Sequence, residues 1–536
     1  MTSSLEIEPG RALSMGERAV LLGAASPPDA RRLAAVLLSS GLPLVEVVPA
    51  MRSVLAESEE PLDPQVVEEA VRVAGESQSI PAPRQHRIEV VLDGEDLDEA
   101  MERCSCSLEE ISAALELPFE VATLGFSPGF GYLSGLRGPL AGLARRDAPR
   151  PRVAAGSLAV AAGMAAIYPQ DSPGGWWLLG RTGVSMFDQQ RRPPALLSAG
   201  DEVRFAIVDE LEEVPPLDRR ALQIGRPSAG GLRVLAAPPG SAAVDAGRRG
   251  MAHLGIPRGG AADAERALLA AALVGGADAA LEVVGQGLEL EIIGSVVVAA
   301  VELELAVDGR PLPSAIPLRL SQGQRLSVRS AGRGGRGYLG VGGGPGLPEV
   351  LGSMGTDSLA GVGPGWLAPG DVVAAGPGPS SLPGRGQVPD DPSPRRLRVT
   401  PGPHAAALVG GIDRLDGLAA VVAERSNRVG IRLEPSYPLE CIDASTLQSC
   451  GVVTGAVQLP PDGRPIILGV DHASLGGYPV VAVLAEVDKP LLGRLSPGDE
   501  AVVVVIDHSE ASRAELARVA LRASFLSGVS PGLEEA

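Results

Sequence analysis

SAGDEV at residues 198–203 predicts a Gly-Asp turn that leads into a short apolar strand. Two later stretches, LAPGDV at 367–372 and LSPGDE at 495–500, repeat both the turn and the start of the strand. A phrase that recurs along a chain is typical of a repeated structural unit. The three stretches therefore predict three copies of one β unit.

The sequence around these turns favours short strands over helices. Its 536 residues include 69 glycines and 48 prolines, which interrupt apolar stretches every few residues. Such spacing is typical of barrels or sandwiches. We predict strands at 87–92, 296–305, 464–470 and 501–506. Helices are predicted at 28–39, 63–74, 261–273 and 510–522, and one more after the capping box SLEE at 107–110.

Two segments rich in Pro, Gly and polar residues, 212–231 and 376–396, predict linkers. They divide the chain into three main blocks, of which the first is here called the B-like part and the other two the C-like part, for the resemblance described below. The predicted domains are a small α+β subdomain at 1–80, barrels at 81–211, 232–375 and 397–507, and a terminal helix and tail at 508–536.

Charge and composition exclude several kinds of function. With 46 basic and 65 acidic residues the net charge is −19, and only 3% of residues are aromatic. The chain therefore lacks both the positive field and the stacking rings of a nucleic-acid-binding protein. Lys489 is the only lysine, in the context VDKP, which suits neither a Walker phosphate loop nor a biotin carrier nor Schiff-base catalysis.

The cysteines and the apolar stretches predict a soluble, cytoplasmic protein without a membrane partner. The four cysteines lack the paired spacing of a zinc site, so we expect reduced thiols and no metal ligands. The N-terminus lacks the basic and apolar regions of a signal peptide. The longest weakly apolar stretch, 153–167, is too short to span a bilayer.

Two local patterns carry candidate chemistry. In SPGGW at 172–176, consecutive glycines could direct backbone N–H groups at an anion, with Arg181 nearby to bind it; a tight hairpin with a packing Trp is the alternative. Asp245, Arg248 and Asp263 are flanked by glycine turns and could hold a metal, an amide N–H or a proton in transfer, but a helix N-cap or an Asp–Arg pair explains each equally well. GFSPG at 125–129 fits the nucleophile-elbow pattern, but Pro128 has no N–H to donate to an oxyanion.

Longer phrases in the first part resemble a known family. GFSPGFGYL at 125–133, PRVAAGS at 151–157 and IYPQDSPGGW at 167–176 resemble the B subunit of the prokaryotic ATP-dependent 5-oxoprolinase. That family also includes the Kip-type histidine-kinase inhibitor and one half of the carboxyltransferase region of urea amidolyase. This resemblance covers about residues 10–210.

The rest of the chain resembles the C subunit of 5-oxoprolinase, over about residues 230–507. The phrases that carry the resemblance lie at 244–248, 255–263, 352–357, 426–430 (SNRVG), 455–463 (GAVQLPPDG) and 476–479 (GGYP). The chain thus resembles a natural B–C fusion. The resemblance implies a mainly β fold with three cyclophilin-like barrels in tandem, one in the B-like part after its α+β subdomain and two in the C-like part.

The resemblance also implies an activity, a cofactor and a partner. It implies ATP-dependent opening of 5-oxo-L-proline to L-glutamate, with ATP and Mg²⁺ and without biotin on this chain. A separate protein similar to the A subunit of 5-oxoprolinase, here called the A-type partner, would complete the enzyme. The ligand would be a small amide, and the chain could form a homo-oligomer.

Candidate site residues follow from the matching phrases. The resemblance implies a substrate and nucleotide site formed by Arg152, Ser157, Tyr168, Gly174, Gly175, Trp176, Arg181 and Tyr478. It implies catalytic roles for Asp245, Arg248, Asp263, Arg428 and Gln458. Gln458 could bond an amide on both of its edges.

Two other functions stay open. One is a carboxyltransferase component that moves carboxylate from biotin to urea or a similar amide. The other is a non-catalytic regulator of a histidine kinase. The regulator is favoured by five positions where this chain departs from the family's usual residue, namely Ala114, Val244, Ala272, Gly276 and Met354.

Overall fold

The computed structural model describes residues 5–74, 82–212, 230–276, 278–331, 335–376, 396–442 and 447–529. In these residues the chain is mainly β, with several barrel-like sheets, as the sequence predicts. Most of the two predicted linkers lies outside the described residues. No helix of the described part is both long and apolar enough to cross a membrane.

The N-terminal unit, residues 5–74, is an antiparallel sheet of order β1-β2-β4-β3 that is covered by two helices. Ser26 caps the first helix by accepting a hydrogen bond from the Asp29 N–H at 3.4 Å. Both helices begin within one residue of the predicted position. The elements are β1 (Ala12–Ser14), β2 (Ala19–Gly23), α1 (Pro27–Ser39), β3 (Leu44–Pro49), β4 (Ser53–Ser58) and α2 (Pro64–Ala74).

The first barrel, residues 82–212, has a seven-stranded sheet of order β12-β9-β10-β7-β6-β13-β5, in which β13 runs parallel to β5. The predicted capping box is present at the start of α4, whereas α3 was not predicted. The elements are β5 (Gln85–Val90), α3 (Leu97–Cys104), α4 (Leu108–Leu115), β6 (Phe119–Leu124), β7 (Gly131–Ser134), β8 (Arg150–Val153), β9 (Ser157–Ala161), β10 (Met164–Ile167), β11 (Ser172–Gly174), β12 (Trp177–Arg181) and β13 (Glu202–Ile207).

The second barrel, residues 230–376, is built around one long strand, β17, which pairs with four neighbours. The single strand predicted at 296–305 is wrong, because the chain turns at Glu302, whose φ is 56°, and a new strand begins there. The elements are β14 (Gly230–Ala236), β15 (Ala242–Val244), α5 (Ala264–Ala272), β16 (Ala280–Val284), β17 (Gln286–Val301), β18 (Leu303–Val307), β19 (Arg310–Leu312), β20 (Leu318–Ser321), β21 (Arg325–Ser330), β22 (Arg336–Val341), β23 (Pro345–Gly346) and β24 (Val372–Ala375).

The third barrel, residues 396–507, closes through seven strands in the order β25-β32-β29-β30-β27-β26-β33. A terminal helix, α6, follows it. The elements are β25 (Arg396–Pro401), β26 (Ala419–Val422), β27 (Gly430–Pro435), β28 (Cys450–Gly451), β29 (Ala456–Gln458), β30 (Ile466–Leu468), β31 (Leu475–Gly476), β32 (Val480–Leu484), β33 (Glu500–Val505) and α6 (His508–Val529).

The three Gly-Asp stretches form the same turn in all three barrels. In each, the Asp carboxylate accepts a hydrogen bond from the backbone N–H three residues earlier, at 2.9, 2.7 and 2.9 Å. Each glycine has a positive φ, of 95°, 95° and 86°, which favours glycine over other residues. Its N–H donates to a neighbouring strand at 2.7–2.8 Å. The glycine and aspartate pairs are Gly200 and Asp201, Gly370 and Asp371, and Gly498 and Asp499.

The N-terminal unit packs directly against the third barrel. Leu21 and Leu55 share a buried apolar cluster with Val452 and Val483 of that barrel. The backbones approach closely here, since a Cβ added to Gly451 would lie 2.5 Å from the Cβ of Leu55. The two ends of the chain therefore meet in one core.

This close approach predicts that Gly451→Ala is destabilising. We expect the free energy of unfolding to fall by about 1–3 kcal/mol, because the added methyl group overpacks the contact. Gly142→Ala is the matched control, because no atom lies within 4 Å of a Cβ added there. Urea unfolding of both variants measures the difference, and equal stabilities would contradict the packing argument.

Candidate functional site

A buried guanidinium joins the second and third barrels. Arg428 lies just before β27 and is 8% exposed. Its Nε and Nη2 bind the two carboxylate oxygens of Asp471 at 2.8 and 2.9 Å. Its Nη1 donates to Glu282 at 2.8 Å, and Nη2 also donates to the carbonyl of Gly260 at 2.6 Å. Arg428 thus bonds two residues of the second barrel and one of its own.

The carboxylates around Arg428 stay ionised because they are paired. Burial alone would raise the pKa of Glu282, but the charges of Arg428 and Arg336 outweigh it and hold that pKa below its usual value. Asp471 behaves in the same way: burial opposes ionisation, and the charge and hydrogen bonds of Arg428 lower its pKa overall. Asp471 also accepts hydrogen bonds from the N–H and the hydroxyl of Ser358.

The network continues to Asp263. Asp263 caps α5 by accepting from the Arg266 N–H at 3.2 Å, and it pairs with Arg494 at 2.6 Å. Its own N–H donates to the hydroxyl of Tyr338, which in turn donates to Glu282. The N-cap alternative is therefore realised at this position. A catalytic role for Asp263 stays a prediction.

Asp245 and Arg248 follow β15, lie beside this network and make hydrogen bonds to the 352–357 loop. Asp245 accepts hydrogen bonds from the Ser353 hydroxyl at 2.6 Å and from the Met354 N–H at 2.7 Å. The contact to Met354 uses the backbone, so it does not depend on that side chain. Arg248 is fully buried and donates to two backbone carbonyls, those of Val350 and Gly355.

Two groups of this cluster have no hydrogen-bond partner among the described residues: Nη1 of Arg248 and Oδ2 of Asp357. Burial lowers the pKa of Arg248, and burial together with the charge of Asp471 raises the pKa of Asp357. Within the described ranges, no group of three or more His, Cys, Asp or Glu side chains is placed to hold a metal ion.

The residues predicted to bind an anion lie at the surface of the first barrel or in its core. Arg152 pairs with Asp171 at 2.6 Å, and Arg181 pairs with Asp93 at 2.8 Å. Both arginines are exposed and both are neutralised by a carboxylate. SPGGW runs through β11, which pairs with β8, so this part has strand geometry. Ser157 opens β9 and is half-buried.

The aromatic candidates belong to one buried cluster. Tyr168 and Trp176 are 2% and 5% exposed, and both contact Phe130 edge-on, at 5.3 and 6.0 Å between ring centroids. Tyr132 also contacts Phe130 and Trp176. Gly174 lies against the hydroxyl of Tyr168, so a side chain there would displace the ring. Gly175 accepts a hydrogen bond from the Arg146 N–H through its carbonyl.

A cavity of about 650 Å³ lies between the first and third barrels. A volume of this size is typical of small-molecule sites. The first barrel contributes Thr123, Tyr132, Ala144, Arg145, Ala162 and Met164 to its wall, and Met51 comes from the N-terminal unit. The third barrel contributes Cys441, Ile442, Leu447, Gln448, Ser449, Leu459, Pro461, Leu475, Gly477, Tyr478 and Pro479.

Tyr478 and Gln458 are the predicted residues at this cavity. Tyr478 lines it and is 44% exposed. Gln458 does not line the cavity but precedes Leu459, which does. Its amide nitrogen occupies the space that a side chain at Gly476 would need, and it has no hydrogen-bond partner in the described part of the chain. The structure therefore separates the predicted residues into four places: the cavity and its wall, the buried network, the surface of the first barrel and the buried aromatic cluster of that barrel.

Sequence reasoning did not single out Arg145, Tyr132, Glu282, Asp357 or Asp471. Glu282 is an acid inside the apolar strand ALEVV at 280–284, a pattern that indicates a buried partner. The sequence around Arg145 shows no such pattern, because Arg145 lies in a loop, where an exposed arginine is common.

The Arg428 network predicts a large, pH-dependent loss of stability in Arg428→Ala. Removing the guanidinium leaves Asp471 buried without its cation and leaves Glu282 with Arg336 alone, and loss of one partner of a buried ion pair typically costs about 3–5 kcal/mol. In the wild type the lowered carboxylate pKa values stabilise the fold above about pH 4, and this contribution is lost as the pH falls. In the variant, burial without Arg428 disfavours the ionised carboxylates, and protonation at lower pH relieves this cost. The difference in free energy of unfolding between wild type and variant should therefore become smaller as the pH is lowered from 7 to 4.

Denaturant unfolding at several pH values measures this gap. Arg432→Ala is the control, since Arg432 is exposed on β27 nearby. A gap that is constant with pH would contradict a role for the two carboxylates.

Two family models match the chain. The carboxyltransferase domain, subdomain C and D, matches residues 11–197, and the carboxyltransferase domain, subdomain A and B, matches residues 254–503. The crystal structure of TTHA0988 superposes with a TM-score of 0.78 at 33% identity, covering 91% of this chain and 100% of that one.

Curated relatives match in the same two parts. The chain is 32% identical over 296 residues to the 5-oxoprolinase C subunit of Escherichia coli (strain K12), covering 53% of this chain and 94% of that protein. It is 40% identical over 118 residues to the 5-oxoprolinase B subunit of Bacillus subtilis (strain 168), covering 22% of this chain and about half, 49%, of that protein.

A more distant relative is the urea amidolyase of Saccharomyces cerevisiae, 28% identical over 304 residues, which are 50% of this chain and 16% of that protein. The match to the C subunit spans nearly that whole protein, and the two family models follow one another along this chain. The chain therefore belongs to the carboxyltransferase-domain family, and it joins in one polypeptide a part similar to the B subunit of 5-oxoprolinase and a part similar to the C subunit of that enzyme.

Proposed function

We propose that the chain is the fused B–C component of a cytoplasmic, ATP-dependent 5-oxoprolinase, which opens 5-oxo-L-proline to L-glutamate together with the A-type partner. The observation that carries the proposal is the cavity between the first and third barrels. Its walls come from both the B-like and the C-like part. Neither part alone would enclose a small molecule there.

ATP is needed because an unstrained lactam is a poor electrophile. Transfer of the γ-phosphoryl group to the lactam oxygen releases ADP and produces a much better electrophile. Addition of one water at the ring carbon breaks the C–N bond and gives the γ-acyl phosphate of L-glutamate, and a second water then hydrolyses this acyl phosphate to L-glutamate and phosphate. In this scheme the cavity of this chain binds and orients the amide.

The residues predicted to hold nucleotide do not fit a triphosphate well. Arg152 and Arg181 are each paired with an aspartate, so neither offers an uncompensated charge to phosphate. We therefore assign ATP and Mg²⁺ to the complex with the A-type partner. No step is assigned to nucleotide on this chain.

A second candidate is a biotin-dependent carboxyltransferase component that acts on urea or a similar amide. The similarity to urea amidolyase supports it. It requires a biotin carboxylase and a biotinylated lysine on partners, because Lys489 is the only lysine here. A test with urea and such partners distinguishes the two candidates.

The proposed 5-oxoprolinase function predicts that 5-oxo-L-proline stimulates the release of ADP. We expect the chain, purified with the A-type partner from the same genome, to release ADP when 5-oxo-L-proline is added, with one glutamate formed per ADP. Met164→Trp narrows the cavity and should lower this rate by about tenfold or more, because a misplaced substrate reacts slowly. Val421→Trp, on an exposed position of β26, should leave the rate unchanged.

Absence of lactam stimulation in a folded, assembled complex would contradict the proposal. Carboxylation of urea by the same chain with biotin-carrying partners would instead support the second candidate.

A further inference from the structure

We propose that Arg145 is the anion anchor of the cavity: it binds the carboxylate of a small monoanionic amide and so determines which amides the site accepts. This inference rests on the function proposed above and deepens it. It assigns a specificity-determining role to a residue that no motif or comparison singles out.

Arg145 is the only charged residue among the described residues that line the cavity. No carboxylate of the described part of the chain lies within 4.0 Å of it, so its charge is uncompensated there. The neighbouring arginines, by contrast, are paired with carboxylates. Arg146 pairs with Asp96 and Glu99, and Arg150 pairs with Asp96, so both are neutralised outside the cavity.

The charge of Arg145 affects the pKa values of two tyrosines at or near the cavity. Burial raises the pKa of Tyr132 to about 12, and the positive charge of Arg145 opposes that rise. It opposes the rise of the pKa of Tyr168, in the aromatic cluster behind Tyr132, in the same way. Arg145 and Tyr132 line the same cavity, and the charge of Arg145 favours the ionised form of that tyrosine.

The remaining walls suit a compact, mostly apolar ring that carries one polar edge. Met51, Met164 and Leu475 offer apolar surface, and Tyr132 and Tyr478 offer phenol groups. A five-membered lactam acid has an apolar ring edge, an amide edge and one carboxylate. Each of these three features has a counterpart in the wall.

The single positive charge of Arg145 favours a ligand with one carboxylate over a triphosphate or a neutral amide. One arginine balances one carboxylate through a bidentate pair, whereas a triphosphate would leave most of its charge uncompensated in the cavity. A neutral amide such as urea or 2-pyrrolidinone would gain nothing from Arg145. Because the protein carries a net charge of −19, an anion is held there by this local cation and not by the protein as a whole.

The test is binding measured by titration calorimetry on the full chain, alone and with the A-type partner. The ligands are 5-oxo-L-proline and its neutral analogue 2-pyrrolidinone. Arg145→Ala should weaken binding of 5-oxo-L-proline by about 10- to 100-fold, the usual effect of losing a charge-assisted pair. Binding of 2-pyrrolidinone should not change. Arg145→Lys, which keeps the charge but not the planar fork, should lie in between.

Arg137→Ala is the matched control, because Arg137 is an exposed arginine of the same barrel that does not line the cavity. In the active complex, Arg145→Ala should raise KM for 5-oxo-L-proline far more than it lowers kcat.

Unchanged affinity of Arg145→Ala for 5-oxo-L-proline, or an equal loss for both ligands, would overturn the anchor. Failure of the wild-type chain to bind 5-oxo-L-proline in either state would overturn it as well. The two proposals fail separately: carboxylate binding through Arg145 without turnover would refute only the oxoprolinase function, whereas turnover that is insensitive to Arg145 would refute only the anchor.

Discussion

The guanidinium of Arg428 is the interaction on which the arrangement of the C-like part depends. Arg428 belongs to the third barrel and donates hydrogen bonds to Glu282 and to the Gly260 carbonyl of the second barrel. Asp471 of its own barrel binds the guanidinium through both carboxylate oxygens. Removing one partner of a buried ion pair leaves an uncompensated charge in the interior, which strongly destabilises the fold. The packing of the second barrel on the third is therefore specified by a few geometrically demanding hydrogen bonds in addition to apolar contact.

The two kinds of arginine in this protein show how environment divides structural from ligand-binding roles. Arg428 has its donors occupied by protein acceptors and is buried, so its charge serves the fold. Arg145 has the same chemistry but faces an open cavity. A charged group that the described protein does not neutralise is the kind of group that a ligand can use.

The fold was largely predictable because its signals are local. The Gly-Asp turns, the capping box before α4 and the start of α1 each depend on a few adjacent residues. The break at Glu302 was not predictable, since apolar residues continue on both sides of it and no glycine or proline marks the turn. The site was less predictable, because Arg145 and Tyr478 are more than 300 residues apart and meet only through the packing of two barrels. Motif positions cannot reveal such a meeting, nor can they show that Arg152 and Arg181 are already paired.

The core shared by the N-terminal unit and the third barrel bears on why the B-like and C-like parts form one chain. Leu55 meets Gly451, and Glu17 accepts a hydrogen bond from the Glu486 N–H at 3.0 Å, so the two parts recognise each other through side chains and backbone. The covalent connection makes a separate contribution to their association. What it contributes is a high effective concentration of one part near the other, together with a fixed one-to-one ratio. Two separate polypeptides with the same surfaces would build the same cavity, but they would do so only at concentrations above their dissociation constant.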